Sequence, residues 1–257
     1  MRKFLFFLLF PFLLLSCEMQ GKQSLCNSVA IMNLMCPTSV GDNLMMDSVL
    51  YKGKDKRVRF CYSYKESENR EQYEEKLRNS DKNFMRYVEL LDVVNYQEKN
   101  FLLYMTWADF DLQISYLDSK GNELLGFVYG KNEYNMSYDE VVSTFPNVME
   151  ESLREQQSKL PLELDLYTIM DSLSCDVNNN KVVLYFTIHD LNMDNRNIDT
   201  LFASIKSSTV ENIISSYNLT YSAIYEHSWK FIYDYKMNGD SLSRFSVTWS
   251  DIDSSLD

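Results

Sequence analysis

Sliding the chain against itself by 124 residues lays Leu25 to Tyr64 over Met149 to Ile188 without a gap, and the apolar positions fall together. Such a repeat constrains the fold more than any other feature, because a local structure assigned to one copy must also suit the other. Leu25, Val29, Met32 and Cys36 stand over Met149, Leu153, Gln156 and Leu160, a helical i, i+4, i+7, i+11 stripe broken only at Gln156. Pro37 stands over Pro161 and ends both helices. Next, Met46-Asp47-Ser48-Val49 stands over Met170-Asp171-Ser172-Leu173, and Val58, Phe60 and Tyr62 stand over Val182, Leu184 and Phe186. Each set reads as a half-buried strand with period two. The polar segments Lys52 to Lys56 and Asp176 to Asn180 suit the turns between them.

The remainder of each copy matches in type, with an indel. Asn69 to Val94 carries Tyr73, Leu77, Phe84, Val88 and Leu91 on one helical face, with Asn69 and Gln72 as a capping-box start; Ile198 to Tyr217 repeats the pattern with Ile198, Phe202, Ile205 and Ile213. Phe110, Leu112, Ile114 and Tyr116 alternate before Gly121, and Trp229, Phe231, Tyr233 and Tyr235 alternate before Asn238-Gly239, a strong hairpin signal. The fold class is therefore α+β: two tandem α-ββ-α-ββ repeats, residues 25–135 and 136–257, each a mainly antiparallel sheet packed against helices. One sheet shared by both repeats is the alternative to two separate ones.

Before the first repeat, Met1-Arg2-Lys3 is followed by a Phe- and Leu-rich run to Leu15 and then by Ser16 and Cys17. Two cations and about a dozen apolar residues make a signal peptide, too short for the ~20 residues that span a bilayer. Leu14-Leu15-Ser16-Cys17 resembles the bacterial lipobox, which implies cleavage after residue 16 and lipidation of Cys17. Residues 17–24 then read as a lipidated end and short tether, whose polar part Glu18 to Gln23 is at most ~20 Å long if extended, holding the folded part near the lipid. The whole layout resembles uncharacterised lipoproteins common in Bacteroidetes, with a lipobox, a helix ending at Pro, an Asp-Ser-apolar strand, an alternating strand, a helix and a final hairpin. The resemblance implies a bacterial envelope location, expected at the outer membrane facing the periplasm, and brings no known activity. The membrane, through the lipid, is the first expected partner.

Charge narrows the others. With 25 Lys and Arg against 37 Asp and Glu, the net charge of −12 argues against nucleic acid. Catalytic signals are absent from the sequence: His189 and His227 sit at strand ends, no Gly-x-Ser-x-Gly elbow occurs, and no Cys-x-x-Cys or His-Glu-x-x-His provides metal-ligand spacing. No cofactor, metal or enzymatic activity is expected. Cys26 and Cys36, ~15 Å apart on one helix, are too distant for a disulfide, which needs Cα atoms within ~7 Å; Cys61 and Cys175 stand opposite Tyr185 and Tyr51 in the other copy and read as packing residues.

Two sets of residues remain as candidate sites. Ser48, Ser172, Thr200 and Ser241 each follow Asp and precede an apolar residue, resembling the O-glycosylation acceptor triplet of exported Bacteroidetes proteins. Tyr104, Trp107, Trp229 and Tyr233 are aromatics that could form a binding platform. The expected function is a non-enzymatic, lipid-anchored envelope module that binds a protein, peptide or glycan. An envelope hydrolase with a carboxylate site, or a structural subunit of an envelope complex, are the alternatives.

Overall fold

The computed structural model describes residues 2–95, 99–189, 198–216 and 218–255, with side chains from residue 18 onward except at residue 99. Two compact units are resolved: unit 1 holds residues 1–80 and 85–143, and unit 2 holds residues 81–84 and 144–257. Each builds its own five-stranded sheet, so the repeats do not share one.

Along the first copy run α1 (Arg2–Leu34), β1 (Thr38–Ser39), β2 (Leu44–Lys52), β3 (Arg57–Tyr64), α2 (Arg70–Arg78), α3 (Lys82–Asn95), α4 (Lys99–Ala108), β4 (Asp111–Leu117), β5 (Glu123–Tyr129), α5 (Lys131–Tyr134) and α6 (Tyr138–Val142). The second runs through α7 (Phe145–Gln157), β6 (Leu162–Glu163), β7 (Thr168–Asp176), β8 (Lys181–Ile188), α8 (Ile198–Ser215), α9 (Leu219–Tyr225), β9 (Lys230–Met237), β10 (Asp240–Val247) and α10 (Trp249–Asp253). The sheet orders are β1-β2-β3-β4-β5 and β6-β7-β8-β9-β10. Neighbours are antiparallel except for β3 with β4 and β8 with β9, where a helical crossover joins parallel strands.

The copies match in detail. Leu44 pairs with Tyr64 as Thr168 pairs with Ile188, and every later pair of these hairpins keeps the 124-residue offset. Both hairpins turn through a short 3-10 segment that closes on a left-handed residue, Lys56 with φ 50° and Asn180 with φ 46°. Another left-handed residue, Asp109 or Ser228, precedes the incoming parallel strand, and the amide of Asp111 or Lys230 then donates to the carbonyl of Lys56 or Asn180. The peptide bonds before Pro37 and Pro161 are both cis.

Strict alternation fails at one place in each copy. Met46 pairs with Tyr62 and Ser48 with Cys61, leaving Asp47 as an extra, bulged residue; Asp171 is its counterpart. The bulge shifts the phase of the strand by one, so that Met46 and Val49, three apart, face the same side. The Asp side chain is held in place: Ser63 Oγ donates to Asp47 Oδ1 at 3.0 Å, and Thr187 Oγ1 donates to Asp171 Oδ2 at 2.6 Å.

Other departures from the sequence pattern are local. The Asn69 to Val94 helix is broken between α2 and α3, and Asn69 makes no side-chain cap; Asp81 instead accepts from the Phe84 amide. The break re-phases the apolar face, so Phe84, Tyr87 and Leu90 are buried while Val88 and Leu91 are only half-buried. Beyond the 135/136 position, unit 1 continues to residue 143, with Val141 of α6 buried in it. Residues 18–23, expected as an extended tether, are helical and continue α1. Helix α1 packs on α4 and β2, with Leu25 and Val29 buried beneath it.

Gly21 marks how close that contact is. A Cβ there would lie 2.7 Å from Trp107 Cβ and 3.0 Å from the Ala108 backbone nitrogen. Gly21→Ala should therefore destabilise unit 1 by about 1–3 kcal/mol through overpacking, read as a lower urea midpoint. An unchanged midpoint would mean that residues 18–23 do behave as a loose tether.

Candidate functional site

The pocket face of unit 1 follows from the register. Phe60 and Tyr62 on β3 lie beside Ile114 and Tyr116 on β4, and the β2 bulge adds Met46 to the same side. Helices α3 and α4 approach this face without filling it, leaving a cavity of about 410 Å3. Met32 and Met35 at the end of α1 and Phe101 on α4 complete its apolar wall. Phe60 meets Phe101 edge-on at 5.7 Å, and the Tyr62 and Tyr116 rings lie 5.7 Å apart. Cavities of this size and lining suit small molecules.

Two acids line it, Glu89 and Asp92, one turn apart on α3. The Tyr116 hydroxyl donates to Glu89 Oε1. Burial nevertheless outweighs that hydrogen bond and pushes the Glu89 carboxyl up to about 7. Burial also raises Asp92. The Tyr116 phenol is pushed far above its ordinary value, first by burial and then by the neighbouring Glu89 charge. Among the described residues neither acid has a cationic partner. Arg86, one turn before Glu89, is engaged elsewhere: it pairs with Glu133, donates to the Val128 carbonyl at 3.0 Å and lies 4.5 Å from the centroid of the Tyr129 ring.

Unit 2 has the same frame with a different interior. Phe186, Tyr233 and Tyr235 stand where unit 1 has Tyr62, Ile114 and Tyr116. Phe186 stacks on Tyr235 at 4.7 Å, Tyr233 stacks on Phe245 at 5.0 Å, and Phe202 of α8 leans on Tyr235 at 5.0 Å. The α8 sequence from Thr200 to Val210 contains no carboxylate.

The four candidate aromatics are scattered by this fold. Trp229 is buried, 2% exposed, and packs edge-on to Phe145; Tyr233 belongs to the ring stack of unit 2. Trp107 is exposed and Tyr104, tilted against it on α4, is half-buried, and neither lines the cavity. Of the acceptor candidates, Thr200 and Ser241 are exposed, whereas Ser48 and Ser172 are half-buried beside the bulges. The repeated Asp-Ser pair thus has a structural job in each sheet. The Cys17 side chain lies outside the described side chains. Cys26, Cys36, Cys61 and Cys175 are free thiols. His227 stacks on Phe145 at 3.7 Å, and burial lowers its proton affinity. Among the described residues no His, Cys, Asp and Glu group is placed to hold a metal, and no helix is long and apolar enough to cross a membrane.

Glu89 and Tyr116 escaped the sequence reading as site residues. Tyr116 looks like any core residue of an alternating strand. The usable signal for Glu89 is an acid enclosed by Val88 and Leu90-Leu91 on an amphipathic helix.

Fold and site together define a duplicated α+β protein with an apolar, acid-bearing cavity in its first unit. No family model matches the chain, and no curated protein matches it. Among solved structures, a Pseudomonas aeruginosa protein predicted to be secreted is similar at a TM-score of 0.36 and 7% identity, over 43% of this chain and 94% of its own.

The raised Glu89 carboxyl makes stability depend on pH. Between the ordinary value of 4.5 and about 7 the folded state binds more proton than the unfolded state, so stability falls as pH rises through that window. Glu89→Gln removes this fall, and the variant should gain on the parent in urea midpoint from pH 5 to pH 8. Parallel midpoint curves would show that Glu89 is not held in a desolvated site.

Proposed function

We propose that this chain is a lipid-anchored protein of the bacterial envelope whose first unit binds a small, largely apolar ligand in the Glu89 cavity, without catalysis. The observation that carries the reading is the divergence between copies: one frame, built twice, stacks rings in unit 2 and encloses about 410 Å3 in unit 1. A packed interior stabilises the fold, so an open one lined by the half-buried Glu89 and the exposed Asp92 is a departure that ligand binding explains. The N-terminal cations, apolar run and Ser16-Cys17 support the anchor, with the outer membrane facing the periplasm as the location, in keeping with the resemblance to Bacteroidetes lipoproteins.

The raised carboxyls of Glu89 and Asp92 also favour a second reading, a carboxylate hydrolase. Glycoside cleavage, however, sets its two acids on opposite sides of the scissile bond. Glu89 and Asp92 stand side by side on one helix, an arrangement that holds a ligand group but does not bracket a bond.

Two experiments test the proposal. Cells fed an alkyne fatty acid should yield a labelled protein, and Cys17→Ala should abolish the label; a labelled variant or an unlabelled parent would contradict the anchor. In calorimetry the parent should bind 3-phenyl-1-propanol, and Ile114→Tyr, which gives unit 1 the ring that unit 2 has at Tyr233, should abolish binding without lowering the thermal midpoint. Absence of binding by the parent, or undiminished binding by the variant, would overturn the cavity reading.

A further inference from the structure

Resting on that reading of the cavity, we propose that its ligand is a free amphipathic organic cation, a quaternary or protonated amine on a compact apolar body. Its charge is set against Glu89 and Asp92, and its body against the rings of Phe60 and Tyr62. Charge complementarity supplies the first argument. Two carboxylates line an otherwise apolar cavity, and among the described residues no Lys, Arg or His pairs with either. Glu89 uses one acceptor position on Tyr116, while a carboxylate offers about four, so capacity remains for a ligand donor or a non-donating ammonium. The protein's own cation on this helix is consumed by Glu133, the Val128 carbonyl and the Tyr129 ring.

The walls point the same way. Aromatic faces attract ammonium groups, and the effect grows when water is excluded. Thioethers such as Met46 adapt to ligand shape. A neutral ligand would leave the half-buried Glu89 carboxylate without a counter-charge, and an anion would add negative charge beside Glu89 and Asp92. The net charge of −12 also favours encounter with cations. Unit 2 provides the internal contrast, since the α8 residues packed at its ring stack, Ile198, Phe202 and Ile205, are all apolar.

The test uses the full chain, held in a neutral maltoside detergent, and three probes of similar shape: (3-phenylpropyl)trimethylammonium, 3-phenyl-1-propanol and 4-phenylbutanoate. Calorimetry should show the ammonium binding on the order of tenfold more tightly than the alcohol, with the carboxylate weakest. Glu89→Gln with Asp92→Asn should erase the tenfold preference of the ammonium over the alcohol. Asp92→Asn alone, which leaves the Tyr116 hydrogen bond to Glu89 in place, should shift the preference the same way by a smaller factor. Alcohol or carboxylate binding as tight as the ammonium overturns the inference and leaves the cavity reading standing, as does an unchanged ammonium affinity in both variants. Failure of all three probes to bind overturns the cavity reading and the inference together.

Discussion

A single unpaired residue in β2, and its copy in β7, sets the geometry on which everything else in each unit depends. Side chains along a strand alternate, so one inserted residue exchanges the faces of all that follow. With Asp47 bulged, Leu44 and Met46 before it and Val49 and Tyr51 after it all pair with core-side residues of β3. Without the bulge, either Met46 or Val49 would point away from the helices. The bulge is stabilised by a short polar contact on the strand that faces it, from Ser63 in one copy and Thr187 in the other.

Two copies of one frame allow a comparison that a single domain would not. The hairpin register, the left-handed turn residue, the parallel crossover and the bulge coincide, while the side chains above the sheet do not. Where unit 2 pairs Leu184 with Tyr233, unit 1 pairs Phe60 with Ile114, so the ring changes strand, and acids on α3 bring charge to the space above. Close packing is the default for such a layer, so the departure from it in one copy locates the site. Tyr116 keeps its ring position in both copies, as Tyr235 does, and in unit 1 it spends its hydroxyl on Glu89.

Much of this frame is legible in the sequence, because the period of apolar residues survives in both copies. The stripe of Leu25 and Val29 and that of Met149 and Leu153 are buried as their spacing requires, and Asn238-Gly239 turns with both residues at positive φ. The bulge is less visible: Met46 and Val49 are three apart in a strand, a spacing that signals it only when both are known to be core residues. The break before α3 is hidden because Asp81 caps a new helix in a stretch where one long amphipathic pattern fits nearly as well. Helix α4 and its counterpart α9 lie beyond the Asn69 to Val94 and Ile198 to Tyr217 patterns, and the sequence reading assigns neither. The cavity is the least legible of all. It arises where elements remote in sequence, α1, α3, α4 and the sheet, stop short of one another, and no local pattern records that gap.

The direct measurement of the central claim, that unit 1 encloses a ligand cavity on the frame it shares with unit 2, uses the paired methionines Met46 and Met170. With methyl-labelled methionine, saturating 3-phenyl-1-propanol should move the NMR signals of Met32, Met35 and Met46 and leave Met170 in place. Equal movement of Met46 and Met170, or movement of Met170 alone, would contradict the account.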